Sequence, residues 1–188
     1  MVSKDELLYR QIFTLKDGAR VLLRPLIEED RQALLDFFQP VAFDERKYFR
    51  HDVSDPNVVE SWITNLNYDS VFPLVAVVGD RIVGNATLHF NEGTARHRAE
   101  VRIFLAKDFR QRGLGGRMLH RLIELARRRS LYLLEVYIVN DSTPIIRAFH
   151  NAGFETKCLI EDYFMLPDGG LKDINHMILR LRTTEDAF

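Results

Sequence analysis

The sequence predicts an α/β (α+β) protein: one mixed, mostly antiparallel sheet of about seven strands flanked by about four helices. Three observations carry this. The run Val71–Val78 is apolar throughout, as a strand buried on both faces should be. Gly79-Asp80 follows it as a turn, and Arg81–Phe90 reads as its antiparallel partner. Finally, the strand-like run Arg98–Ala106 leads through a glycine-rich loop into a helix-period segment, Gly113–Arg129, and then into another strand-like run, Leu131–Val139. A helical crossover between two strands makes that pair parallel.

The remaining elements follow in order. Ile12–Leu15 and Arg20–Arg24 flank Lys16-Asp17-Gly18, a hairpin signal, and Pro25 ends the second run. Glu28–Phe38 reads as a helix, with Ile27, Ala33, Leu34, Phe37 and Phe38 forming one apolar side and its acids near the N-terminus. Residues Gln39–Pro56 show no regular period, and Asn57–Asn65 carries Val58, Val59, Trp62 and Ile63 as a short second helix. Thr143 caps a further helix with Pro144 at its first position, and Gly153 closes it. Phe154–Leu166 and Leu171–Arg182 form a last strand pair joined through Pro167-Asp168-Gly169-Gly170.

At 188 residues the chain 1–188 is expected to be a single domain, with 1–10 peripheral. The net charge of −1 gives no global attraction for nucleic acid, and Arg127-Arg128-Arg129 ends a helix, where cations suit the dipole. No membrane-spanning run and no signal-peptide pattern are expected. The lone cysteine, Cys158, excludes a disulfide framework, reads as a core thiol and fits a reducing cytoplasm. The six histidines show no metal-ligand spacing, so no metal is expected.

Phe104–Arg129 organises the chain. Gly113, Gly115 and Gly116 open a helix whose apolar residues, Leu114, Met118, Leu122 and Leu125, recur at helical spacing. Glycine in a helix costs about 1 kcal/mol relative to alanine. Either the strand-to-helix turn needs them for packing, or a ligand approaches the backbone. Unpaired N–H groups at a helix N-terminus favour an anion such as a diphosphate, and Arg110 and Arg112 could add charge-assisted hydrogen bonds. The sequence fits neither G-x-x-x-x-G-K-[ST] nor G-x-G-x-x-G.

Arg110-Gln111-Arg112-Gly113-Leu114-Gly115-Gly116 resembles the [QR]-x-x-G-x-[GA] signature of the GNAT superfamily of N-acetyltransferases. Asn140-Asp141-Ser142-Thr143-Pro144, followed by Arg147–Phe154 with its Gly153-Phe154 step, is similar to that family's second block. The resemblance spans roughly Val21–Leu181. It implies the GNAT fold with a splayed parallel strand pair, and acetyl-CoA as cosubstrate. Its pyrophosphate would lie on the backbone of Arg110–Gly116 and its pantetheine against Phe104, Leu105, Ala106 and Asn140. It also implies an amine acceptor on the side of residues 39–56. Two segments, Phe38–Pro40 through Arg46–Arg50 and Arg98–Glu100 into Arg110–Gly113, look similar to bacterial protein lysine acetyltransferases of the Pat type. Protein lysine and a small amine both remain as acceptors, and the final strands offer an edge for a homodimer.

Attack by an amine on a thioester needs a base for the ammonium proton, a donor for the oxyanion, and help for the leaving thiolate. Glu100 matches the place where many relatives carry a strand glutamate and is the candidate base. It alternates onto one face with Arg102 and Phe104, so it is either a partly buried proton acceptor or the partner of Arg102. Glu92 and Glu135 are weaker candidates. Where many relatives carry a tyrosine as general acid, this chain has Phe149, which has no proton to give. Tyr137, Tyr163, His150 or water could act instead, or the thiolate could leave unprotonated, since a thiol pKa lies near about 8.5. A non-catalytic acyl-CoA-binding module on the same fold is the alternative.

Overall fold

The computed structural model describes residues 2–46 and 49–182. In chain order the elements are α1 (Lys4–Leu7), β1 (Gln11–Thr14), β2 (Arg20–Pro25), α2 (Arg31–Phe38, preceded by a 3-10 turn at Glu28–Asp30), α3 (Phe43–Arg46), α4 (Pro56–Thr64), β3 (Val71–Val78), β4 (Arg81–Phe90), β5 (Arg98–Leu105), α5 (Leu114–Arg128), β6 (Leu133–Val139), α6 (Thr143–Asn151), β7 (Glu155–Met165) and β8 (Leu171–Arg180). The strands hydrogen-bond in the order β1-β2-β3-β4-β5-β6-β8-β7, and β5–β6 is a parallel pair. The sheet has eight strands against the expected figure of about seven, and each of the eight corresponds to one of the strand-like runs read from the sequence, the four-residue β1 included. Gly18 takes φ +89° there, a conformation open to glycine at no steric cost.

The chain forms two compact units. The first comprises residues up to 87 together with 103–118. Its core joins Leu34, Phe37 and Phe38 of α2, Val59 and Ile63 of α4, and Val75 and Val77 of β3, with Phe49, Trp62 and Phe104 packed against it. Asp55 caps α4 by accepting from the Asn57 N–H at 2.9 Å, and Pro56 fits the first helical position, where no N–H is needed. The turn into α2 is held by a nearly buried ion pair. Both nitrogens of the Arg24 fork reach Asp30, at 2.5 and 2.6 Å, and Asp30 also accepts from the Ile27 N–H at 3.0 Å. The paired carboxylate pushes the Arg24 guanidinium above its ordinary value, against the opposing effect of burial. Asp30→Ala would strand that guanidinium out of water. We expect a loss of about 3 kcal/mol, read as a lower urea midpoint at unchanged slope.

The second unit comprises residues 88–102 and from 119 onward. Here β6 lies between β5 and β8, and β8 separates β6 from β7. The β6–β8 ladder runs from Leu133↔Arg180 to Val139↔Ile174, whereas the parallel ladder with β5 spans three pairs, Arg98↔Leu133 to Glu100↔Glu135. Edge strand β7 is exposed along most of its length, and its pairing with β8 shifts register between Thr156 and Cys158 and again between Ile160 and Phe164.

Those shifts correct one expectation. Cys158 is exposed on β7 rather than buried in the core. The apolar run Cys158-Leu159-Ile160 does not alternate with polar residues, so the sequence alone could not assign it a face. A smaller correction concerns α6, which begins at Thr143 with Ser142 as N-cap. Within the expected peripheral segment, Ser3 and Glu6 form a capping box and Glu6 is buried.

Candidate functional site

The glycine loop lies in the first unit. Strand β5 ends at Leu105, a 3-10 turn covers Lys107–Phe109, and α5 starts at Leu114. Gln111 and Gly113 both have positive φ, +59° and +84°. The chain turns here into α5, whose first N–H groups, as at any helix start, have no intrahelical partners. Leu114 and Met118 are fully buried and anchor the helix, so Leu114 could offer a ligand only its backbone.

The glycines differ in what they permit. A Cβ at Gly115 would lie 3.3 Å from the Leu105 side chain, so this glycine allows α5 to approach β5 closely. A Cβ at Gly116 would meet nothing within 4 Å. Gly116 in the first turn of α5 is therefore exposed with room beside it, which leaves space for an anion at the helix start.

Neither arginine of the loop is idle. The Arg110 fork engages Glu45 of α3 in two parallel bonds, Nη1 to Oε1 at 2.8 Å and Nη2 to Oε2 at 2.9 Å. Its Nε donates to the Leu105 carbonyl at 3.1 Å, and the guanidinium sits 5.4 Å from the Phe104 ring centroid. Lys107 Nζ is 3.4 Å from the same Glu45 carboxylate. The Arg110 hydrogen bonds hold the Glu45 carboxyl below the usual carboxylate range, with help from Lys107, and Glu45 in turn raises Arg110. Arg112 Nε lies 2.9 Å from Asp17 of the hairpin, with its guanidinium over Phe109. Among the expected pantetheine partners, Ala106 donates its N–H to the Val83 carbonyl and accepts from the Phe109 N–H, at 3.0 and 2.9 Å. Residues Lys47 and Tyr48 of the expected acceptor segment lie outside the described residues.

The second unit holds a different cluster. Each carboxylate oxygen of Glu100 accepts from Arg102, at 2.8 and 3.1 Å, which is the paired arrangement the sequence left open. Its partner across the parallel ladder, Glu135, is only 5% exposed. Glu135 Oε2 lies 3.3 Å from His176 Nε2 and 3.4 Å from both the Tyr137 hydroxyl and Arg98 Nη1. The rings of Tyr163, Tyr137 and His176 form a stacked file, with successive centroids 5.5 and 4.7 Å apart and both pairs within 4° of parallel. Burial, and then the negative charge of Glu135, push the Tyr137 phenol up to about 12. That hydroxyl therefore keeps its proton at neutral pH and can donate.

This cluster depends on β8 running beside β6, which sets His176 opposite Tyr137 in the register. No sequence spacing indicates it, since 41 residues separate His176 from Glu135. Alternation along Leu133–Val139 does place Glu135 and Tyr137 on one face.

Asn140 follows β6. Its N–H donates to the Asp173 carbonyl at 3.0 Å, and its side-chain oxygen accepts from Asn175 at 2.8 Å. Phe149 is buried edge-on against Phe154, with centroids 5.0 Å apart, and so packs as core. Phe149→Ala should cost about 3–5 kcal/mol, seen as a lower melting temperature. A change in activity with no loss of stability would contradict the packing role. His150 donates from Nδ1 to the Phe154 carbonyl at 2.9 Å, which leaves Nε2 to accept from the Thr156 hydroxyl at 3.3 Å.

Among the described residues no group of three or more His, Cys, Asp or Glu is arranged to hold a metal ion, and no helix is long and apolar enough to cross a membrane.

The sequence model of the acetyltransferase (GNAT) family matches residues 32–154. No curated protein matches the sequence. Among solved structures, a ribosomal-protein-alanine N-acetyltransferase from Brucella melitensis is similar at 26% identity and TM-score 0.74, over 84% of this chain and 98% of that one. The GNAT domain of PAT from S. lividans is similar at 18% identity and TM-score 0.74, over 96% and 99%. A Salmonella typhimurium protein solved with its cofactor acetyl-CoA is similar at 20% identity and TM-score 0.74, over 86% and 94%. The last two likenesses speak to the fold.

Proposed function

The chain belongs to the GNAT family of acetyltransferases, and from that premise we propose that it transfers the acetyl group of acetyl-CoA to a primary amine by direct attack in a ternary complex. Acetyl-CoA supplies the activated thioester. The observation that carries the cofactor assignment is the exposed Gly116 in the first turn of α5, just after a loop turned by Gln111 and Gly113 at positive φ. In this reading the backbone of Arg110–Gly116 holds the diphosphate. The carbonyl end of β5 at Phe104–Ala106 takes the pantetheine arm. The short parallel ladder between β5 and β6 fits the splay that this arrangement needs.

The proton of the acceptor ammonium would pass to the carboxylates Glu100 and Glu135. Glu135 is favoured for the larger share. Both oxygens of Glu100 are already taken up by the Arg102 fork, whereas Glu135 is buried and has His176 beside it as an outlet for the proton. Phe149 has no acidic proton, so the departing thiolate leaves unprotonated or takes a proton from water or from the Tyr137 hydroxyl.

Protein lysine and a small amine are both acceptors of this chemistry. The Brucella neighbour's name adds the amine of an alanine on a ribosomal protein. The lone cysteine fits a reducing cytoplasm as the setting. The test is calorimetric titration with acetyl-CoA, followed by a screen of thiol release over lysine peptides, alanine-terminated peptides and polyamines. Binding with no turnover on any amine would favour the non-catalytic module. Absence of binding would remove the assignment.

A further inference from the structure

The loop that the proposed function assigns to the diphosphate is tied, in this structure, to the segment before α4. Arg110 is the only described cation whose two terminal nitrogens both reach Glu45, and Lys107 adds a second positive charge to that carboxylate. An Arg–carboxylate fork uses the same two donors, in the same plane, that an Arg–phosphate fork would use. Meanwhile Arg110 Nε takes the Leu105 carbonyl. One side chain thus holds an anion from the chain itself and also covers a backbone acceptor at the end of β5.

Helix α3, which carries Glu45, is a single turn. Among the described residues, the N–H groups of Glu45 and Arg46 share the Ala42 carbonyl at 2.9 Å each. Nucleating a lone turn is unfavourable, so such a turn needs outside contacts to persist. The Arg110 and Lys107 contacts are outside contacts of that sort.

Resting on the diphosphate reading above, we propose that Glu45 is a positioning residue that holds Arg110 in the absence of acyl donor and yields it to the donor's diphosphate, so that donor binding frees α3. Exchange of one anion for another at the Arg110 fork would do three things together. It would add a charge-assisted contact to the diphosphate, uncover the Leu105 carbonyl for an amide N–H of the donor, and release the 43–46 turn.

The experiment compares wild type and Glu45→Gln for binding of acetyl-CoA and of S-acetylpantetheine, which lacks the diphosphate. Glu45→Gln removes the competing charge and should bind acetyl-CoA roughly 3–10-fold more tightly, the range expected for a partly exposed ion pair with good fork geometry. Its affinity for S-acetylpantetheine should stay within twofold of wild type. In parallel, amide exchange of Glu45 and Arg46 in the wild-type protein should speed up on adding acetyl-CoA, a readout that does not depend on the variant folding. Unchanged or weaker acetyl-CoA binding by the variant, or slower exchange at those two amides, would overturn the proposal while leaving the diphosphate site intact. A wild-type protein that binds no acetyl-CoA would overturn both.

Discussion

Gly116→Glu is expected to remove acetyl-CoA binding while leaving the fold as stable as before. The added side chain meets no atom within 4 Å, so nothing has to move to admit it. Replacing a helical glycine favours the helix, and a carboxylate in the first turn of α5 complements its dipole, so the two local effects are neutral to stabilising. The same carboxylate would occupy the open space above the helix start. Two negative charges about 4 Å apart repel by about 4 kcal/mol at the effective dielectric of a protein surface. We therefore expect a loss of affinity on the order of 100- to 1000-fold, measured by calorimetry, with an unchanged or slightly raised melting temperature. The opposed directions make the result informative: affinity retained in a folded variant means the diphosphate is bound elsewhere. Gly115 is the less suitable position, because its Cβ would press on Leu105 and confuse packing with binding.

The second large effect is expected at Glu135. Glu135→Gln keeps the shape of the side chain and its ability to accept from His176 and Tyr137, but it can no longer take up a proton. If the acceptor ammonium is deprotonated through this group, kcat should fall by roughly 100-fold or more, within the range typical of a positioned acid or base. The acidic limb of the pH–rate profile should flatten, and the affinity for acetyl-CoA should not change. Glu100→Gln should have the smaller effect, since in wild type both oxygens of Glu100 are held by Arg102. Equal losses from the two variants would point to the carboxylate pair acting as a unit, whereas a larger loss from Glu100→Gln would reverse the assignment. Full activity of Glu135→Gln with an unaltered pH profile would make the Glu135–His176–Tyr137 cluster purely structural.

Local turn chemistry and apolar periodicity carry most of the fold. The Asp17-Gly18 hairpin, the Gly79-Asp80 turn and the close of α6 at Gly153 all stand where the sequence put them, and each of these glycines has positive φ. The buried strand Val71–Val78 and the helix after the glycine loop match their expected bounds to within one residue. These features rest on turn chemistry and on apolar periods of two or 3.6 residues, which act within a few positions along the chain. Where the period breaks, the reading broke as well. Cys158 lies between two register shifts of β7, and its exposure could not be inferred from its neighbours.

The site divides along the same line. The sequence by itself determined the strand–glycine loop–helix unit, the parallel β5–β6 pair and the absence of a tyrosine at position 149, because each is a property of adjacent residues. Only the tertiary structure decided the partners of the charged groups. Arg110 meets a carboxylate 65 positions away, Glu135 meets a histidine 41 positions away, and of the alternatives open for Glu100 the Arg102 fork is the one taken. Pairings of that kind depend on which strand lies beside β6 and on where the 43–46 turn packs. Chain connectivity does not constrain either over such separations, because the closure entropy of a long loop changes only slowly with its length.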